Sequence, residues 1–376
     1  MMRYCCRCVL PDSRPGTTLD DRGVCSACRG HEDKDSGIDW HSRGAALRDL
    51  VDEVKTLGRD YDCIVPVSGG KDSWYQTIVC KKLGLKVLAV TWRTPARTQV
   101  GQSNLDNLVK WLEVDHVDYT INPDVERRFM KVAFEIKGAT AIPMHMALFA
   151  IPIRLAIQLG VPLIVWGENP QLEFGGRSEE RLATDLNPGW VRRHGVSNNT
   201  VIEDWIGKGD LSARDLAAYR LPPDEAFQEG TRSIFLGSYI RWNSFENAAV
   251  ARRHGFSSGK EDLRTGLWDF ADVDCDFISL HHFLKWHKFG LTRAFDNLSV
   301  QIRYGMTCRD DAIATLAATG LQIPHDDIKR FCRFVDEPED WFWAAAEKFR
   351  NPEIWAFEEG QWKIPGFLIS NWDWSW

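Results

Sequence analysis

Six residues, Ser68-Gly69-Gly70-Lys71-Asp72-Ser73, stand directly between a short apolar run, Asp62 to Val67, and a helical pattern carried by Trp74, Ile78 and Leu83. A buried strand, a glycine turn and a helix in that order offer backbone N–H groups and a helix N-terminus to a phosphate. The spacing is not that of the G-x4-G-K-[ST] phosphate loop. The same rhythm recurs downstream. Strands are expected over Lys86–Trp92, His116–Ile121 and Pro162–Trp166, with helices over Asn104–Glu113, Asp124–Lys137 and Pro143–Leu159. Alternating strands and helices predict a parallel sheet covered on both faces, with ligands beyond the C-terminal strand ends. The α/β class follows from this.

A second loop, Gly167-Glu168-Asn169-Pro170-Gln171-Leu172-Glu173-Phe174-Gly175-Gly176, begins at another such strand end. Carboxylates bracketed by glycines after a buried strand suit Mg²⁺ ligation or proton transfer. The alternative for such a segment is a solvated acidic turn.

The N-terminus carries a different signal. Cys5-x2-Cys8 and Cys25-x2-Cys28 are separated by 16 residues, the spacing of a closed four-thiolate zinc knuckle. An iron–sulfur cluster uses the same ligands. Arg3, Arg7 and Arg29 lie close enough in sequence to offset the excess negative charge, and Cys6 reads as a bystander. Ten cysteines in a chain with no export signal at Met1–Cys5 argue for reduced thiols and a cytoplasmic setting rather than a disulfide framework. The most apolar stretch, Ala147 to Gly167, contains Pro152, Arg154 and Pro162, so it reads as a buried helix and strand rather than a membrane span.

The hexapeptide resembles the loop of the ATP pyrophosphatases, the PP-loop enzymes. That resemblance implies an adenine nucleotide alpha hydrolase-like, Rossmann-like domain that binds Mg-ATP and releases pyrophosphate. It implies that Ser68, Gly69, Gly70 and Ser73 cradle the phosphates and that Asp72 helps hold Mg²⁺. Lys71 counts with Asp72 among the catalytic candidates, and Thr91 and Trp92 at the second strand end are expected near the adenine. The second loop resembles the acidic loop of asparagine synthetase, which puts Glu168 where a glutamate assists attack by an amine, with Glu173 a further nucleotide-site candidate.

Together with Cys8-Val9-Leu10-Pro11-Asp12, Val24 to Cys28, and Ile302-Arg303-Tyr304-Gly305-Met306-Thr307-Cys308-Arg309-Asp310-Asp311-Ala312, these motifs look like the N-acetyl sugar amidotransferase family. That family serves bacterial O-antigen, lipopolysaccharide and flagellin-sugar pathways. It converts the acetamido group of a nucleotide-activated sugar into an acetamidino group. Phe174 departs from the expected tyrosine, and Cys308 from a polar residue.

The resemblance implies ATP, Mg²⁺ and structural Zn²⁺, with domains at 1–40 (knuckle), 41–205 (PP-loop) and 206–376 (mainly helical, Trp-rich). It also implies ammonia-supplying glutaminase and cyclase-like partners similar to those of imidazole glycerol phosphate synthase. The chain itself shows neither a Cys at position 2 nor a Gly-x-Cys-x-Gly elbow.

Beyond residue 205, helices are expected over Ser244–Gly255, Asp276–Lys288, Arg309–Ala318 (opened by Thr307 with Asp310) and Glu339–Phe349 (opened by Pro338). His281, His282 and His287 are expected to meet core groups or solvent rather than a second metal. Lys285, Lys288 and Arg293 suit either a substrate diphosphate or a solvated basic face. Seven of the 17 Trp follow residue 340: Trp341, Trp343, Trp355, Trp362, Trp372, Trp374 and Trp376. Core packing or subunit contact is the expected use.

The rival enzyme is a PP-loop tRNA thiolase. It requires a basic RNA surface and a cysteine at the ATP cleft, whereas the net charge is −7 and Cys63 and Cys80 fall inside a strand and a helix. A non-catalytic nucleotide-binding scaffold is the other alternative, disfavoured by the intact Ser68, Asp72, Ser73 and Glu168. No nucleic acid and no membrane are expected as partners.

Overall fold

Apolar side chains on both faces of each central strand leave the sheet no solvent-facing side, and the architecture follows from that. The computed structural model describes residues 2–175, 182–194, 197, 199–223, 230–258 and 264–375. Gly176 and Trp376 lie outside them. Five strands form one parallel sheet: β1 (Cys63–Pro66), β2 (Val87–Trp92), β3 (Asp115–Tyr119), β4 (Leu163–Trp166) and β5 (Arg232–Phe235), in the order β3-β2-β1-β4-β5. Ile64, Leu88, Val90 and Ile164 enter the core on one face. Cys63, Val65, Val87 and Ala89 enter the core on the other, as the two-residue period requires.

Helices α1 (Ser26–Ser36) and α2 (Trp40–Thr56) precede the sheet, and α3 (Lys71–Lys82), α4 (Gln99–Leu112), α5 (Pro123–Lys137) and α6 (Ala141–Leu159) connect its first four strands. Helix α5 starts where Asn122 caps the Asp124 N–H and Pro123 takes the first turn, and it stops at Gly138, which is left-handed at φ 56°. Helix α6 is long and apolar enough to cross a bilayer by length and composition. Twelve of its residues are buried, however, and it packs against β1, β2, β4 and α5. It is the central core helix.

Chain progression reverses between β1 and β4, so the switch point of the sheet lies between Ser68 and Gly167, the first residues after those strands. Open α/β sheets bind ligands at this place.

The sheet does not end where the sequence suggested. Strand β5 pairs with β4 through Leu163–Arg232 to Trp166–Phe235, well past residue 205. It was missed because it is four residues long, begins with Arg and Ser, and follows a crossover whose described residues hold two short helices, one of them α8 (Pro188–His194), and three 3₁₀ turns. Helix α9 (Ser244–Arg253) then packs on α3. The second loop folds as the short helix α7 (Pro170–Phe174), capped by the Asn169 side chain.

The remaining chain is helical: α10 (Ile278–Phe289), α11 (Arg293–Arg303), α12 (Arg309–Thr319), α13 (His325–Val335) and α14 (Glu339–Glu347), followed by the hairpin β6 (Ala356–Glu358) and β7 (Gln361–Lys363). The cap of α12 is Cys308, not Thr307: its sulfur accepts from the Asp311 N–H at 3.4 Å. Trp355, Trp372 and Trp374 gather on Trp286, while Trp341 and Trp343 pack around Phe331 and Phe342. Trp362 stays at the surface against Phe357.

Candidate active site

After β1 the backbone turns through Gly69 at φ +92°. A Cβ there would stand 2.3 Å from the Gly101 carbonyl oxygen, so only glycine fits, on conformation and on space. Gly70 begins α3 with no side chain capping it, which leaves the first N–H groups facing the loop. The two serines brace the turn. Ser73 Oγ accepts from the Ser68 N–H at 2.9 Å and lies 3.3 Å from Ser68 Oγ, which accepts from Gly70 N–H at 3.4 Å. Lys71 is buried, 2.5 Å from Asp72 Oδ2 and 5.5 Å from the centre of the Phe270 ring. The other carboxylate oxygen, Asp72 Oδ1, is buried with no hydrogen-bond partner. An orphaned carboxylate oxygen beside an open helix N-terminus fits a magnesium–phosphate ligand.

Glu168 is fixed from both sides. A Cβ on Gly167 would meet Gln76 Nε2 at 2.1 Å, and the Gly237 N–H donates to the Gly167 carbonyl at 2.9 Å. Asn169 continues the clamp, donating to the Ala183 carbonyl at 3.1 Å and to Ser238 Oγ at 3.2 Å. Burial, followed by the negative charge of Asp72, pushes the Glu168 carboxyl up to about 7, and Lys71 opposes the shift. The hexapeptide and Glu168 therefore act on one another electrostatically. A carboxyl tuned to neutral pH is suited to taking or giving a proton.

Glu173 is placed otherwise than expected. Its carboxylate is bonded to the ammonium of Lys34 on α1, and Tyr304 Oη lies 3.4 Å from its other oxygen. Lys34 also donates to the Trp242 carbonyl at 2.6 Å and to Tyr304 Oη at 3.2 Å. The residue thus braces the loop through a buried ion pair. Neither Lys34 nor Tyr304 carries a local sequence signal of this role, although Tyr304 lies inside a motif that marked the family resemblance.

Beside Ser68 a cleft of about 210 Å³ opens, lined by Val67, Thr91, Trp92, Met144, His145 and Asp274 among others. Thr91 Oγ1 lies 2.9 Å from His116 Nε2, and Trp92 Nε1 donates to Glu126 at 2.7 Å. The structure brings Thr91 and Trp92 together with Ser68, the first residue of the glycine loop, in one cavity. Asp274 and Cys275, also in its wall, were not singled out in the sequence. Burial pushes the Cys275 thiol up to about 12, so it is not a thiolate at neutral pH. Cys63, in β1, is raised well above the ordinary thiol range by its contact with Cys80 and by burial.

The four sulfurs of Cys5, Cys8, Cys25 and Cys28 are buried and lie within 4.8 Å of one another. The Cys8–Cys25 and Cys5–Cys28 pairs are 3.6 and 4.0 Å apart, against about 3.8 Å for thiolates on a tetrahedral zinc with bonds of about 2.3 Å. The donor set is compatible with zinc. Backbone N–H groups of Arg7, Cys8 and Cys25 point at Cys5 Sγ, and that of Cys28 at Cys25 Sγ. The three neighbouring arginines are engaged otherwise: Arg3 with Asp12, Arg7 with Glu32, and Arg29 with the Val24 carbonyl. The unforeseen cation is Arg309, whose Nε donates to the carbonyls of Cys5 and Cys8 at 3.3 and 3.1 Å. Helix α1 begins at this knuckle and packs on α7, and a Cβ on Gly175 would lie 2.7 Å from Ala27 N.

The three histidines of α10 take different partners, although the His281 and His282 rings stand 5.4 Å apart. His282 Nε2 is 3.3 Å from Asp272, His287 Nε2 is 3.4 Å from Glu347, and His281 faces His145. The cysteine group is the one metal-ligating cluster among the described residues.

Residues 250–367 match the family model described as LPS biosynthesis protein WbpG-like, C-terminal domain. The C-terminal third is WbpG-like. This WbpG-like region holds α10 to α14 and the hairpin, and it contributes Asp274, Tyr304 and Arg309 to the cleft, the loop and the knuckle. Its match supports the resemblance to the sugar amidotransferase family. No curated protein matches alongside it. Among solved structures, NMN synthetase from Francisella tularensis aligns at 16% identity over 60% of this chain and 98% of its own, with a TM-score of 0.28. NAD+ synthetase from Burkholderia pseudomallei aligns at 12% identity over 58% and 87%, with a TM-score of 0.26. Neither likeness reaches the level at which individual positions correspond.

Proposed function

We propose that the protein is an ATP-dependent amidotransferase of bacterial surface-polysaccharide synthesis. Its acceptor is the acetamido group of a nucleotide-activated sugar. The observation that carries the reading is the meeting, at the switch point of the sheet, of an uncapped glycine loop, the orphaned Asp72 Oδ1 and a Glu168 poised near neutrality.

An amide carbon is a poor electrophile and its oxygen a poor leaving group. Attack of that oxygen on the α-phosphorus of ATP forms an O–P bond, breaks the bond to pyrophosphate and leaves an O-adenylyl imidate. Ammonia then adds to the carbon, loses a proton, and AMP departs with the former amide oxygen to leave the amidine. Magnesium supplies charge neutralisation at the phosphates when bound. The loop N–H groups and Lys71 hold the triphosphate, Asp72 offers its free oxygen to the metal, and Thr91 and Trp92 border the base. Glu168 accepts the proton released by the incoming ammonia. Glu173 keeps the loop of Glu168 in place.

Ammonia would come from a glutaminase and cyclase-like pair or from solution, and the reduced thiols fit a cytoplasmic enzyme. The thiolase alternative loses ground because the cysteine in the cleft wall, Cys275, is held as a thiol.

The test is pyrophosphate release from Mg-ATP with ammonium chloride and a panel of nucleotide-linked N-acetylated sugars, with products read by mass spectrometry. Sugar-dependent AMP and replacement of O by NH are expected, both lost in Asp72→Ala at unchanged zinc content. Activity with tRNA and a sulfur donor, without sugar dependence, would overturn the reading.

A further inference from the structure

The cleft beside Ser68 has a neighbour. A second cavity of about 340 Å³ is lined by Met146, Thr200, Glu203, Tyr219 and Arg220 among others. In its wall Glu203 pairs with Arg220 at 2.9 Å, and the Tyr219 hydroxyl is buried with no hydrogen-bond partner. A buried hydroxyl left unpaired beside an open volume suits a polar ligand group. The two cavities meet at one side chain: His145, near the start of α6, stands in the wall of both.

Its own helix fixes the tautomer of that histidine. Nδ1 lies 2.8 Å from the Ala141 carbonyl oxygen. A carbonyl only accepts, so Nδ1 carries the hydrogen and the neutral ring keeps its lone pair on Nε2. The ring makes no other hydrogen bond among the described residues. Burial, helped by the charge of Lys285, holds the imidazole below the ordinary histidine range despite the Ala141 contact. At pH 7 the wall between the cavities therefore carries a neutral imidazole whose second nitrogen can take a proton.

The amidotransferase chemistry has a proton that Glu168 does not handle. As the amide oxygen attacks the α-phosphorus, positive charge develops on the amide nitrogen, which still bears its hydrogen. If that proton stays, the product is a cationic adduct that readily reverts to amide and ATP.

We propose that His145 is the base of the first step, its Nε2 taking the N–H proton of the acceptor amide as the amide oxygen bonds to the α-phosphorus; this rests on the amidotransferase reading. The O–P bond forms and the bond from the α-phosphorus to pyrophosphate breaks. The electron pair of the N–H bond becomes part of the C=N bond of a neutral imidate, and the proton stays on the imidazole. Phosphate charge beside the ring offsets the imidazolium. When ammonia adds to the carbon, His145 returns the proton to the same nitrogen, which draws electrons from the carbon under attack and resets the ring. The second cavity gives the rest of the acceptor a place outside the ATP cleft, with its amide reaching past His145 to the α-phosphorus.

The experiment is rapid-quench measurement of pyrophosphate in the first turnover, with Mg-ATP, ammonium chloride and each sugar of the panel. That release times the adenylation, which precedes the ammonia step assigned to Glu168. His145→Gln is expected to slow it about 10²–10⁴-fold, the usual effect of losing a general base. Affinity for α,β-methylene-ATP, read by calorimetry, should be unchanged. His145→Ala should be slowed likewise and should recover part of the rate when imidazole is added, because the free base replaces the missing one.

Release at the ordinary rate in either variant would overturn the proposal. A loss that imidazole does not restore would overturn the proton transfer, and a joint loss of α,β-methylene-ATP binding would give His145 to the nucleotide instead. Each of these outcomes removes His145 and leaves the amidotransferase reading in place. No sugar-dependent release from the unaltered protein would bring down that reading, and this proposal with it.

Discussion

The ammonium of Lys34 is bonded to the carboxylate of Glu173 across 139 positions of chain, with the two side chains 4% and 10% exposed. One partner sits on the helix that leaves the cysteine knuckle, the other at the far end of the loop that begins with Glu168. Tyr304, from the end of α11, bonds to both. The four-cysteine end, the loop of Glu168 and the WbpG-like region thus share one buried charge pair.

Replacing Lys34 by Met leaves Glu173 buried without its counter-charge. Breaking a buried pair from one side costs about 3–5 kcal/mol, whereas replacing both members costs far less. Lys34→Met is therefore expected to lower the urea midpoint strongly, and Lys34→Met with Glu173→Gln to recover much of the loss. Additive losses would show that the two side chains do not act as a pair.

In the proposed mechanism the pH dependence comes from Glu168. Its carboxyl, raised to about 7 by burial and Asp72, is protonated below that value and cannot accept a proton from ammonia. At a fixed concentration of free NH₃, kcat should rise with pH through about 7 and then level off. Glu168→Gln should flatten that limb and lower turnover by about 10²–10⁴-fold. An unaltered profile in the glutamine variant would take the proton transfer away from Glu168.

Cys25 belongs to the four-sulfur group and is the cap of α1, where its side chain accepts the Cys28 N–H. Cys25→Ser is expected to lower bound zinc, measured by inductively coupled plasma spectrometry, and to reduce soluble yield, because metal binding contributes folding free energy. Full zinc content in that variant would remove Cys25 from the ligand set.

Gly69→Ala places a Cβ 2.3 Å from the Gly101 oxygen at φ +92°. The loop must open, so affinity for Mg-ATP should fall at least tenfold, roughly the effect of 1.4 kcal/mol, with a drop in melting temperature. Tight ATP binding by the alanine variant would mean that the phosphates do not sit on this turn.

How far the molecule could be read from its sequence depended on how local each signal was. Cys63–Val65 and Leu163–Trp166 are unbroken apolar runs next to helical patterns, so strands β1 to β4 and the two loops were legible. Strand β5, with Arg232 and Ser233 among four residues, has no such run; only its pairing with β4 makes it a strand. Thr91 and Trp92 were placed near the nucleotide by the family resemblance, and in the structure they share a cleft with Ser68. Lys34, Asp274 and Arg309 act across gaps of more than a hundred residues, and nothing beside them in the chain marks their tasks. Glu173 was misjudged for the same reason, since its partner lies in another segment.

The carbonyl contacts of Arg309 add an order of events to the molecule. Cys5 and Cys8 leave the ribosome early, but the guanidinium that holds their turn is encoded 304 and 301 residues later. At about 5–20 residues per second, that interval is roughly 15–60 s, during which the cysteine turns exist without their clamp. Until Arg309 is made, the four thiols lack the contact that braces their turn in the folded chain.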